Sequence, residues 1–156
     1  MKLLAYATAA VAAASYAPPA TAPAPAGTAE PTIEQIRAAT ERFQDIRQAI
    51  AEGYVPPPGD LCEVASMIGY PPELGGMGIH YFRPDLLGIT APPNPRVDGN
   101  GTHTDFLKPA ILIYEPRDDG TLELVAVENL VFEKAWHAAG NKEPPSYLGV
   151  PYDLKY

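Results

Sequence analysis

The sequence predicts an α+β fold: an N-terminal amphipathic helix packed on a small, mainly antiparallel sheet, with long irregular loops. Three observations carry this prediction. Ile33, Ile36, Phe43, Ile46 and Ile50 recur at a helical period. Two strand-like runs, residues 109–115 and 121–132, flank the turn signal Asp118-Asp119-Gly120. The run Gly75-Gly76-Met77-Gly78-Ile79-His80-Tyr81 crowds three glycines around one histidine, in a chain with only two others, His103 and His137. Glycine goes where other side chains cannot, so this run reads as a specified backbone path that presents His80.

Each element has its own signals. Thr32 and Gln35 have capping-box spacing and start the helix. Glu34, Arg37, Glu41, Arg42, Asp45 and Arg47 fall mostly on its other faces. Gly53 is a natural C′ residue, and Pro56-Pro57-Pro58 forbids continuation. Asp60 is expected to cap a short helical turn through Leu61, Cys62, Val64, Ala65 and Met67. Pro71-Pro72 and Gly75-Gly76 then enforce a loop, and residues 79–82 form a short strand closed by Arg83-Pro84-Asp85. Residues 88–108, rich in Pro, Gly, Asn and Asp, read as a long irregular loop, a feature that is usually functional or mobile. Residues 110–114 are continuously apolar and therefore central in the sheet. In the next strand Leu122, Leu124, Ala126, Glu128 and Leu130 share one face by strict alternation, and Glu123, Val125, Val127, Asn129 and Val131 the other. Residues 133–139 form a helical turn ended by Gly140-Asn141, and the remainder is coil.

The chain has 156 residues, which bounds it to one domain. Lys2 precedes an alanine-rich apolar stretch of about a dozen residues, which fits a secretory signal better than a membrane span of about 20. Residues 1–14 are read as the signal peptide. Ala12-Ala13-Ala14 supplies the small residues at its end, whereas Pro18 disfavours cutting after Ala17. An uncleaved N-terminal anchor is the weaker alternative. Residues 15–31 are a Pro/Ala-rich linker, which buries nothing and stays extended. Residues 32–156 are the single α+β domain, and no segment after the signal is apolar enough to span a bilayer. The expected location is periplasmic or extracellular.

The formal net charge of −8 becomes −9 when Lys2 leaves with the signal. Without clustered Lys and Arg the chain is not built for nucleic acid or anionic lipid. Cys62 is the single cysteine. In an exported protein it is either paired between chains, buried and inert, or bereft of a partner. The last residues, PYDLKY, close no element, so the domain is expected to be shorter than its relatives.

Two residues stand out chemically. On a core-facing stripe the Glu128 carboxylate must be paired, hydrogen-bonded, protonated or metal-bound, because an isolated buried charge is very costly. The alternative is a strand end that lets it reach solvent. His80 meets Glu128 if residues 79–82 join the sheet. Histidine and carboxylate together suit zinc or copper, and a third ligand completes an open site. His103 with Asp105, two residues apart in an extended loop, can offer both side chains to one side. The candidate metal set is therefore His80, Glu128, His103 and Asp105. Against it, no spacing matches HExxH or paired CxxC motifs, and a hydrogen-bonded structural histidine is the commoner finding. His103 alone reads as a solvated loop residue, and His137, beside Trp136, as a surface residue.

Other chemistries have less support. Ser66 and Ser146 lie in no elbow motif, and Cys62 has no neighbouring base. Glu115, Glu123, Glu128 and Asp105 supply carboxylates for glycoside chemistry, but nothing selects a pair. The glycine run lacks the Lys-Ser/Thr of a phosphate loop. The abundant tyrosines fit core and turn packing better than a sugar platform.

Residues 76–84 (GMGIHYFRP), residues 101–106 (GTHTDF) and the hairpin over 111–132 resemble a family of small exported bacterial proteins of unassigned function. The resemblance runs from about Thr32 to the C-terminus. It implies a chain that continues past Tyr156 with a histidine-containing strand and a late cysteine. It therefore implies that Cys62 has lost a disulfide partner here and that the His80 site lacks one ligand. The resulting expectation is an exported small binding protein that takes a metal ion or small ligand around His80 and Glu128, with general-base or metal-assisted chemistry through His80 if it reacts at all. The alternatives are a non-catalytic envelope or secreted protein and a truncated relative of a metal-dependent enzyme.

Overall fold

The computed structural model describes residues 30–89 and 99–153. The signal peptide, the linker as far as Ala29, residues 90–98 of the long loop, and the last three residues lie outside them. The fold is α+β. A four-stranded antiparallel sheet has the order β1-β2-β3-β4, with β1 Cys62–Val64, β2 Gly76–Phe82, β3 Ile111–Pro116 and β4 Leu122–Glu128. The helices are α1 Ile33–Thr40, α2 Ile46–Ala51, α3 Pro84–Leu87 and α4 Glu133–Ala138.

The N-terminal helix starts as its sequence dictates. Thr32 and Gln35 form a reciprocal capping box. It does not run unbroken to Gly53. Thr40 turns its hydroxyl back onto the Ile36 carbonyl, a bond that bends helices. A 3-10 turn, Glu41–Gln44, follows, and Asp45 adopts extended backbone to cap α2 through the Arg47 amide. This break brings Phe43, 1% exposed, onto the sheet. Ile33 and Ile50, which a straight helix would bury, stay 44% and 53% exposed.

One face of the sheet packs Ile79, Tyr81, Leu112 and Tyr114 against Phe43, Ala49 and Tyr54. Tyr114 donates its hydroxyl to the Phe43 carbonyl at 2.8 Å, and Tyr54 to the Pro109 carbonyl at 2.5 Å, so two buried hydroxyls tie helix and loop to the sheet. The opposite face carries Phe82 and Ile111 against Leu87, Ile89, Leu130 and Phe132.

Four local expectations are corrected. Residues 62–64 are a strand rather than part of a helical turn: Gly59 and Asp60 take left-handed backbone and Cys62 then pairs with Ile79. β2 begins at Gly76, so the glycine run is itself strand. In β4 the pairing steps from Ile113↔Ala126 to Tyr114↔Leu124, leaving Val125 as an extra, bulged residue. The bulge ends the strict alternation. Leu122, Leu124 and Val127 pack on the Phe43 side, so Glu128 lies on the face opposite Leu122 and Leu124. The strand also stops at Glu128, because Asn129 leaves the ladder and its side chain accepts the Ala110 amide. Finally, the expected C-terminal coil contains a two-stranded hairpin, β5 Ser146–Tyr147 and β6 Val150–Pro151.

Candidate functional site

The strand alternation of β2 fixes where His80 points. Ile79 and Tyr81 face the α1–α2 side, so His80 and Phe82 face the other, with their rings stacked 6.2 Å apart. Gly78 shapes the approach. Its φ is +99°, and a Cβ there would stand 2.7 Å from the Ile113 side chain and 2.9 Å from the Tyr114 carbonyl oxygen. The strand closes on β3 at this point only because the residue is glycine.

His80 is fully buried, and a carboxylate flanks each ring nitrogen. Nδ1 lies 3.9 Å from a Glu63 oxygen and Nε2 lies 3.7 Å from a Glu128 oxygen. The pairing explains the convergence. Glu63 stands opposite Gly78 on β1, so its side chain has no neighbour's side chain to clear. His80 stands opposite Ile113 and Glu128 opposite Ile111, which puts all three on one face across the whole sheet. The Glu128 side chain is 35% exposed and the Glu63 side chain 16%, so the row opens toward solvent at its Glu128 end.

Two donors bound to one ion at about 2 Å each stand roughly 3–4 Å apart. The Nε2–Glu128 separation falls in that span, and the Glu63 carboxylate, 3.9 Å from the other ring nitrogen and so beyond hydrogen-bond length, stands on the side from which a metal-bound imidazole is usually oriented. His103 and Asp105 do not complete the set. His103 Nε2 is 2.7 Å from the Lys108 carbonyl oxygen, and the Asp105 carboxylate accepts the Leu107 amide, so both are engaged in one local turn. No group of three or more His, Cys, Asp or Glu among the described residues is arranged to hold a metal ion. His137 sits on α4 beside Glu133 and the Asn141 carbonyl, away from this row in role and contacts. Cys62 is half-buried on the Phe43 side of the sheet and is a free thiol.

Glu63 was not among the residues singled out by sequence. A three-residue strand is too short for alternation to register, and the proline- and glycine-rich surroundings favoured a turn.

No protein-family model matches the chain, and no curated protein or solved structure matches it.

Proposed function

We propose that this chain is an exported small binding protein whose site is the His80–Glu128 pair, with Glu63 as the positioning carboxylate behind the ring. The observation that carries this reading is a fully buried imidazole with carboxylates 3.7 and 3.9 Å from its two nitrogens. A core that needed only apolar packing would not place three ionisable side chains in a row across it, since each costs desolvation. The partner is a metal ion, zinc or copper by donor type, or a small ligand that reaches the half-open Glu128 end. Two protein donors hold an ion weakly, so the ion would be exchangeable, with water or a bound molecule filling the other positions. The export part of the reading rests on Lys2, the apolar residues 3–14 and the resemblance carried by residues 76–84. No helix among the described residues is long and apolar enough to cross a membrane.

A non-catalytic structural role is the second reading, favoured by the absence of a third donor among the described residues. Calorimetric titration with zinc and with copper separates the two. Saturable binding at one ion per chain, weakened at least tenfold in Glu128→Gln, supports the site. Heats equal in the wild type and Glu128→Gln would reject it as a metal site.

A further inference from the structure

A cleft of about 540 Å³ lies between α1, the turn that follows it and the outer edge of β4. None of His80, Glu63 and Glu128 lines it. Its volume is within the roughly 300–1,000 Å³ of small-molecule sites. Ile33, Ile36, Val125 and Val127 supply its apolar surface, and Phe106 and Tyr147, with ring centroids 4.6 Å apart, add an aromatic wall. Two of these residues are apolar yet open: Ile33 is 44% and Val125 47% exposed. Val125 is the extra, bulged residue of β4.

The polar groups of the cleft decide what it can take. Thr40 donates to the Ile36 carbonyl. The Gln44 amide both donates to and accepts from the Leu124 backbone, at 3.1 and 3.2 Å, as a neighbouring strand would. Both are therefore committed within the protein. The lining charges are one cation, Arg37 on α1, and one anion, Glu41 in the turn that follows, both exposed. The lining therefore carries no net charge and offers neither an anion nor a cation a surplus of opposite charge.

We infer that this cleft binds a neutral, mainly apolar small molecule with an aromatic or branched aliphatic body, at a site separate from His80. Apolar contact drives the binding, and the aromatic wall and the balanced rim set the preference. The probe is N-phenyl-1-naphthylamine, uncharged and fluorescent in apolar surroundings, titrated into the full chain. The expected result is saturable enhancement at one probe per chain. Val125→Arg and Ile33→Asp, both at exposed positions, each weaken it at least tenfold with an unchanged circular dichroism spectrum, while Glu128→Gln leaves it unaltered. No saturable enhancement, or binding retained in both cleft variants, overturns the inference. So does a dimer in sedimentation that Val125→Arg dissociates, because the cleft would then be an interface between copies.

Discussion

Gly78 and His80 act as a pair. The glycine permits close approach of β2 to β3, and the histidine two residues on inherits a fixed direction. Gly78→Ala places a methyl group against Ile113 and the Tyr114 carbonyl at a positive φ. It is expected to lower stability by about 2–4 kcal/mol, read from urea unfolding. A loss under about 0.5 kcal/mol would show that the backbone path is not specified by this residue. The Glu63 carboxylate, behind Nδ1, is expected to set ring orientation without touching a bound ion. Glu63→Gln should weaken zinc binding about 10–100-fold while leaving the stoichiometry unchanged. Equal affinity in the variant would remove Glu63 from the site. At this scale the glycine run drew attention to His80 and strict alternation drew attention to Glu128; the two side chains do lie together, but on the face opposite the one alternation gave. The sequence was silent on Glu63, whose role depends on which strand lies beside β2.

The elements show where local pattern yields to tertiary packing. The capping box at Thr32 and the hairpin at Asp118-Asp119-Gly120 are short-range devices, and both form as written: Arg117 and Thr121 close the turn and the Asp119 side chain bonds Thr121. The break at residues 41–45 and the bulge at Val125 are different. Each trades regular geometry for a long-range contact, Phe43 with the sheet and Val127 with the Phe43 cluster. Periodicity cannot foresee that exchange. Strict alternation put Glu128 beside Leu122 and Leu124, whereas the bulge sends it to the His80 face. Phe43→Ala is expected to cost about 3–5 kcal/mol, because the ring fills the joint between helix and sheet and leaves a cavity behind. Thermal or urea unfolding measures it, and a loss below about 1 kcal/mol would mean that the broken helix is not anchored there.

For the molecule as a whole, three buried or half-buried tyrosines make stability sensitive to alkali. Burial pushes Tyr54 and Tyr152 up to about 12, and raises Tyr114 as well. The ordinary phenol value is about 10. The folded state therefore holds these protons more tightly than the unfolded chain. The stability linked to them is fully present below pH 10 and is lost as pH rises from 10 through about 12. Absorbance at 295 nm is expected to show exposed tyrosines ionising first and these three only with unfolding. Titration of every tyrosine near pH 10 with the fold intact would contradict the burial of these three hydroxyls. The α+β architecture itself was legible, because it needs only one amphipathic helix and a strong hairpin. The assembly of the His80 row was not, since it requires all four strands in register and a bulge.

The central claim is that His80 and Glu128 bind a ligand together. The most direct measurement is the metal content, by elemental analysis, of protein expressed to the periplasm and purified without chelators, beside the Glu128→Gln and His80→Ala variants. Because two donors hold the ion weakly, the expected result is zinc or copper near one equivalent in the wild type after equilibrium dialysis against the ion, and lost in both variants while Glu128→Gln keeps its folded spectrum. Metal retained in both variants, or no metal in any of them together with no zinc or copper uptake on titration, would contradict a metal site and leave His80 as a packing residue of the core.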